Sequence, residues 1–407
     1  MLKLRLVFAL LLTGSLACGV LQSATAMQLA GSAAPKSQPI RSRAELDEYL
    51  KLHAGRDSPL DVLPPLARQR FLDHLIFGSN GLGGFDPGEL STELTREEAK
   101  QVLTLLGAES YIPGILFRNP DALPSWRTAN MTPGRIETGF DALSRLQHRD
   151  GDNRNELHAR FDREFSGLLG KPAVLSRLSE HDLVYLLRAV QLVSDEMPSP
   201  VDADRLREIV AAMERRGLAR PMDFREVFLG LVRARQFGQA RRYAAAHPRA
   251  GLPELPHMKD TGASPMPFSV WTTDHDGTTL TRNTLDLVPL QILVLSGCHF
   301  SEDAAEDISA DPVLGPVFAR NAHWLMLPPG WEEQGAVRDW NRRFPSAQAI
   351  QIYDRAEWTL LPPGWSMPTF LIVRDGKVLE ITTGSTRDSE NKSALVDALK
   401  RSGLLAH

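Results

Sequence analysis

The sequence predicts two folded parts in series, an irregular helical region followed by an α/β domain built on a mixed sheet. Three observations predict this. Capped segments with apolar residues three or four positions apart run from residue 43 to about residue 250. Prolines at 253, 256, 265 and 267 then break the pattern and mark a linker over 251–266. Over 267–407 the apolar residues gather into short runs separated by helical segments, as in a sheet whose strands alternate with helices. At 407 residues the chain has length for more than one core.

The first 26 residues read as a secretory signal. Lys3 and Arg5 precede an apolar run from Leu6 to Leu12, and small residues lead to Ala24-Thr25-Ala26, an A-x-A cleavage pattern. The run is too short to span a bilayer. Export, with a periplasmic destination, is the expectation. The alternative is a lipoprotein anchored to a membrane through Cys18, although Ser15 stands where a lipobox prefers Leu. Residues 27–42 then read as a flexible linker rich in Pro, Ser and Ala.

The helical elements announce themselves by their starts. Ser42 caps "RAELDEYLKL", and Thr95 with Glu98 forms a capping box ahead of "KQVLTLLG". Further helices start at Ser179 and at Asp202, and "MDFREVFLGLVRARQFGQARRYAAAHP" reads as a pair joined near Phe237-Gly238. No fixed repeat period links them, so an irregular bundle is expected rather than a solenoid. The glycine-rich stretch from Gly78 to Glu89 lacks the Gly-Lys-Ser/Thr ending of a phosphate loop and reads as a turn-rich connection. Arg149 to Glu156 is not a calcium loop, because Arg154 stands at a ligand position.

In the α/β part, "PFSVWTT" and "TTLTRNTL" flank a hairpin turn at Asp274 to Gly277. "LQILVLS" is the continuous apolar run of a buried central strand. A helix follows with Ser301 as its expected N-cap, then strands at "HWLMLP" and "AQAIQIY" around the helix "EEQGAVRDWNRRF". "TFLIVRDGKVLEITTG" turns at Asp375-Gly376, and an amphipathic helix closes the chain.

Composition excludes several functions. A formal net charge of -4 without a basic block gives nucleic acid no footprint. The 11 histidines are scattered, with no H-E-x-x-H and no cysteine cluster, so no metal or other cofactor is expected. The two cysteines are Cys18 and Cys298. Cleavage or lipidation removes Cys18 as a partner and leaves Cys298 a single thiol in an oxidising compartment.

A buried strand ending at Cys298 on a helix start, followed by Met367-Pro368-Thr369 before "FLIVRDGKVLEITTG" and a terminal helix, resembles a thioredoxin-like domain of the exported redoxin branch. The resemblance covers roughly the last third of the chain and none of the helical part. It implies that Cys298 is the nucleophile, that Pro368 is a cis-proline facing it, and that Met367, Thr369 and Trp365 border a groove for an extended peptide. Partners would be protein or small-molecule thiols and disulfides, with a protein partner for the helical part left open.

The motif departs from the family at one decisive place. Cys298-His299-Phe300-Ser301 has a hydroxyl where a resolving thiol belongs, and Gly297 stands where a tryptophan is common. A hydroxyl cannot attack a mixed disulfide under mild conditions. A helix N-terminus still favours a thiolate, His299 would assist when protonated, and Ser301 could donate to the sulfur. Monothiol or isomerase-like exchange follows. The competing expectation is a binding module of the cell envelope in which Cys298 is inherited but idle and His299 is an ordinary surface residue. "LPPGW" occurs at Leu327 to Trp331 and again at Leu361 to Trp365, and reads as stiff turns, the second adjoining the groove.

Overall fold

Local capping chemistry sets the helices of the first part. A computed structural model describes residues 39–406 apart from 55–56, 79–80, 125, 128–131, 150–152, 260–265, 274–278, 327–332 and 363–365. The signal and most of the first linker, the 274–277 turn, the first "LPPGW" and Trp365 of the second thus fall outside the described residues, as does the centre of the rejected calcium loop.

Among the described residues, α1 (Arg43–Leu52) and α2 (Pro65–Asp73) lead into a short hairpin, β1 (Ile76–Gly78) with β2 (Gly81–Gly83). Then come α3 (Pro87–Glu93), α4 (Arg96–Leu105), α5 (Arg135–Gln147), α6 (Arg154–Phe165), α7 (Pro172–Leu175), α8 (Glu180–Glu196), α9 (Pro200–Arg215), α10 (Pro221–Arg233) and α11 (Phe237–Ala246). Ser42 accepts from the Glu45 amide, Ser179 from that of Asp182, and Thr95 with Glu98 forms both halves of a capping box.

Three expectations change here. The α9 cap is Ser199, which accepts from the Asp202 amide, because Pro200 at the first helical position lets the helix start earlier than Asp202. The joint between α10 and α11 precedes Phe237 and includes Arg235, whose φ is 60°. Within the Gly78 to Glu89 connection, Gly81–Gly83 pairs with Ile76–Gly78 as a ladder and Pro87 starts α3, since glycine strands can pair by backbone alone.

The helices bury two apolar cores. One runs through α1 to α4, and the other packs α5, α6, α8, α9 and α10 and continues into Trp271, Leu280 and Tyr353. Between them lies a buried charge network. Arg70 on α2 donates to both carboxylate oxygens of Glu89 on α3 at 2.9 Å. Arg188 on α8 donates to Glu89 at 2.6 Å, Arg70 reaches the Tyr185 hydroxyl at 3.0 Å, and that hydroxyl donates to Glu93 at 2.6 Å.

The rest of the chain supplies β3 (His257–Lys259), β4 (Ser269–Thr273), β5 (Thr279–Thr284), β6 (Leu290–Ser296), α12 (His299–Ala310), α13 (Leu314–Asn321) and β7 (Ala322–Met326). It ends with α14 (Glu333–Arg343), β8 (Ala349–Ile352), β9 (Thr369–Arg374), β10 (Lys377–Thr383) and α15 (Ser389–Ser402). These eight strands form one mixed sheet in the order β10-β9-β6-β7-β8-β4-β5-β3. Strands β6, β7 and β8 run parallel, and β9 is antiparallel to β6. Residues 257–259, expected as linker, instead add a parallel edge strand beside β5.

Strand β6 explains why the sheet can hold a site. Its side chains alternate between faces, so Ile292 and Val294 join the core under α12 to α15 while Leu293 and Leu295 join the core closed by Trp358. All four are fully buried. Each contributes about 1.5–3 kcal/mol of burial. The C-terminal end of this rigid strand carries the sulfur.

Candidate active site at Cys298

The register of two central strands brings the site together. Leu295 of β6 pairs with Thr369 of β9, so the residues just beyond each strand end, Cys298 and Met367, arrive side by side. Cys298 is the N-cap of α12, and its carbonyl accepts from the Ser301 and Glu302 amides. The expected cap, Ser301, therefore lies inside the first turn, because the helix begins at His299. No side chain caps this end, which leaves first-turn N–H groups without an intrahelical acceptor beside the sulfur.

Gly297 supplies the bend between strand and helix. Its φ is 141°, a backbone conformation side chains resist, and a Cβ there would stand 3.5 Å from the Met367 sulfur. That is a physical reason for glycine where a tryptophan is common.

The Cys298 sulfur is half-buried. It lies 3.6 Å from the Ser301 hydroxyl, and its thiol donates to the Met367 carbonyl at 3.9 Å. Ser301 is fully buried. The Met367–Pro368 peptide bond is cis. Two bonds hold this loop: the Thr369 hydroxyl donates to the Ser366 carbonyl at 2.7 Å, and the Gly384 amide donates to the Pro368 carbonyl at 3.0 Å. Met367 is half-buried, while Pro368 and Thr369 are buried. The His299 ring lies against Phe300 at a 39° tilt, with centroids 3.8 Å apart. Cys298, Ser301, Met367 and Pro368 are thus brought together, Thr369 acts behind them through Ser366, and Trp365 lies outside the described residues.

Two residues of the helical part also border this place, and neither was picked out from the sequence. Tyr111 is half-buried and donates to the Leu82 carbonyl at 2.7 Å. Burial raises its phenol above the ordinary range, and the nearby Cys298 sulfur raises it further. Gly83 of β2 comes close enough to Phe300 that a Cβ would lie 3.8 Å from its ring. Only the aromatic and glycine content of 78–85 could have hinted at this contact. Among the described residues, no group of three or more His, Cys, Asp or Glu side chains is placed to hold a metal ion.

No family model matches the chain, and no curated protein does. Among solved structures it is similar to a thioredoxin-like protein from Bacteroides caccae ATCC 43185, at 15% identity and a TM-score of 0.23, over 68% of this chain and 98% of that one. The likeness is distant, so strand order and side-chain geometry carry the reading of the site.

Proposed function

We propose that the chain is an exported, single-cysteine thioredoxin-like protein that performs thiol–disulfide exchange through Cys298. One observation carries the reading: a half-buried cysteine at the N-cap of α12, its sulfur within 3.9 Å of the Met367 carbonyl at the head of β9. The first N–H groups of α12 face the sulfur's side of the helix start, and the nucleophile in exchange is the thiolate form of such a cysteine.

The chemistry balances without a cofactor. The Cys298 thiolate attacks one sulfur of a substrate disulfide, a bond forms between them, and the substrate's S–S bond breaks. The expelled thiolate takes a proton from water. A second thiol, supplied by the substrate or by a small molecule, then attacks the mixed disulfide, releases Cys298 and becomes oxidised in its place. Ser301 cannot serve as that second nucleophile, so the cycle is monothiol or isomerase-like. Its hydroxyl, 3.6 Å from the sulfur, can donate to the thiolate that each step of exchange passes through.

The test is incubation of the folded protein with glutathione disulfide at neutral pH. A single glutathione adduct is expected, reversed by excess thiol and missing from Cys298→Ser, whose thermal midpoint is unchanged. Modification only after unfolding would overturn the reading. The fully buried hydroxyl at Ser301, in place of a resolving thiol, favours one second reading, a binding module in which Cys298 is idle.

A further inference from the structure

The helical part holds a cavity that the chemistry of Cys298 does not use. It measures about 590 Å³ and lies between the start of α4, the start of α10 and the segment 116–122, a volume within the range of small-molecule sites. Leu116, Phe117, Pro221 and Met222 give it apolar walls, and Leu116 is 54% exposed, so the fold itself leaves this side chain uncovered. The charge is one-sided. Four arginines line the cavity, Arg96, Arg118, Arg220 and Arg225, against one acid, Asp121. Arg118 is balanced by Asp223, which it meets directly, and by Glu180 at 3.5 Å. Arg96 and Arg220 have no carboxylate within 4 Å among the described residues. Arg96 lies over the Phe117 ring at 5.1 Å, and Arg220 donates to the Gly217 carbonyl at 3.5 Å. Arg118 is 4% exposed, and its Nε has no partner among the described residues, a buried donor of the kind that folded chains rarely leave unmet.

The walls stand without an occupant. The Arg118 amide donates to the Ser91 carbonyl at 3.0 Å, the Arg96 amide to the Pro120 carbonyl at 3.0 Å, and the Arg118 side chain to the Leu218 carbonyl at 2.9 Å. These bonds tie the segment 116–122 to α3, α4 and the approach to α10, so a ligand would lose little binding free energy to ordering it.

We propose that this cavity binds a small amphiphilic anion as a monomer, its carboxylate or phosphate head held by Arg96 and Arg220 and its apolar body laid on Leu116, Phe117 and Met222. Guanidinium forks match the oxygens of either head. A cation of the same shape meets repulsion from the same arginines, and a bare anion leaves the apolar walls wet. The site is independent of Cys298 and gives the helical part a ligand of its own, so it stands or falls apart from exchange.

The experiment is calorimetric titration of the full-length protein with decanoate, decyl phosphate, decyltrimethylammonium and inorganic phosphate, each kept below any micelle concentration. One equivalent of either decyl anion is expected to bind, at least about tenfold more tightly than the decyl cation or inorganic phosphate. Either order of the two anions supports the site and names its head. Arg96→Gln combined with Arg220→Gln should weaken both anions about tenfold or more. Leu116→Asp should do the same, and because this side chain is already half outside the fold, the thermal midpoint of the unliganded protein should not move. Cys298→Ser should bind as the parent does. The site is overturned if anions and cation bind alike, if the variants bind the anions as the parent does, or if inorganic phosphate matches decyl phosphate. It is overturned equally if phosphatidylglycerol vesicles or an unstructured acidic peptide bind through Arg96 and Arg220 while neither decyl anion does.

Discussion

The helical part and the α/β part each keep polar chemistry away from bulk water, and they do so in opposite ways. In the first, Arg70 and Glu89 are each about 1% exposed, yet Glu89 meets two guanidiniums and Arg70 also reaches Tyr185 and, at 3.6 Å, Asp141. Burial alone would raise Glu89, but Arg188 and Arg70 overturn that and hold it below the usual carboxylate range. In the second, the half-buried Cys298 has two long contacts among the described residues, at 3.6 and 3.9 Å. Buried groups held by several short charged contacts fix a structure, whereas an accessible group with weak partners is free to exchange them.

The largest expected effect breaks the first half of that contrast. Arg70→Ala leaves Glu89 with one fewer guanidinium and strips the Tyr185 hydroxyl of a donor. Removing one member of a buried ion pair costs about 3–5 kcal/mol. Urea unfolding should show a loss of that order, while the rate of Cys298 exchange per folded molecule stays as it was. A loss below about 1 kcal/mol, the range of surface pairs, would make the network no more than decoration.

A smaller effect sits at the network's margin. Burial raises Glu137 to about 7, with Arg70 opposing and Glu93 and Glu89 adding to the rise. Its partner His181, at 3.6 Å, is lowered, chiefly by burial. The signs are opposite. Glu137 has a folded value above its ordinary 4.5, so between 4.5 and about 7 the folded chain holds a proton that the unfolded chain has released, and stability falls as pH rises. His181 has a folded value below 6.5, so the unfolded chain takes a proton that the folded chain refuses, and stability falls as pH drops below 6.5. Glu137→Gln should therefore remove the loss on the alkaline side and leave the acid-side loss. Urea midpoints measured across this window read it, and an unaltered profile in the variant would place Glu137 outside the buried set.

How legible each region is in the sequence follows from the same contrast. Caps such as Ser42, Ser179 and the Thr95–Glu98 box bond within three residues, so spacing alone finds them. The turn at Asp375-Gly376 is equally local, with φ of 50° and 72° at the two positions. Local signals mislead only where a neighbour competes: Pro200 moved a cap to Ser199, and Gly297 let α12 start before Ser301. The buried network left no such trace, since Arg70 and Tyr185 are 115 residues apart and read separately as ordinary surface-type and core-type residues. Cys298 and Pro368 are paired in the sequence only through a resemblance that links positions 70 residues apart, and in the fold the carbonyl before Pro368 lies 3.9 Å from the sulfur. Tyr111 and Gly83 belong to no pattern that covers the helical part, and only the folded chain brings Tyr111 near the sulfur and Gly83 against Phe300.

The smallest effect tests whether the sulfur's weak partners matter at all. Ser301 is fully buried, and its hydroxyl lies 3.6 Å from the Cys298 sulfur, where either group could be the donor in the thiol form. In the thiolate form only the hydroxyl can donate. Ser301→Ala therefore removes a bond that the thiolate needs more than the thiol does, worth about 1 kcal/mol at this length. Exchange with glutathione disulfide at neutral pH should slow about fivefold. The stability cost should be small, because the thiol keeps the Met367 carbonyl as its acceptor. A variant that loses stability but exchanges at the parent rate would show that the Ser301 hydroxyl belongs with the buried groups that fix the structure rather than with the chemistry of the sulfur.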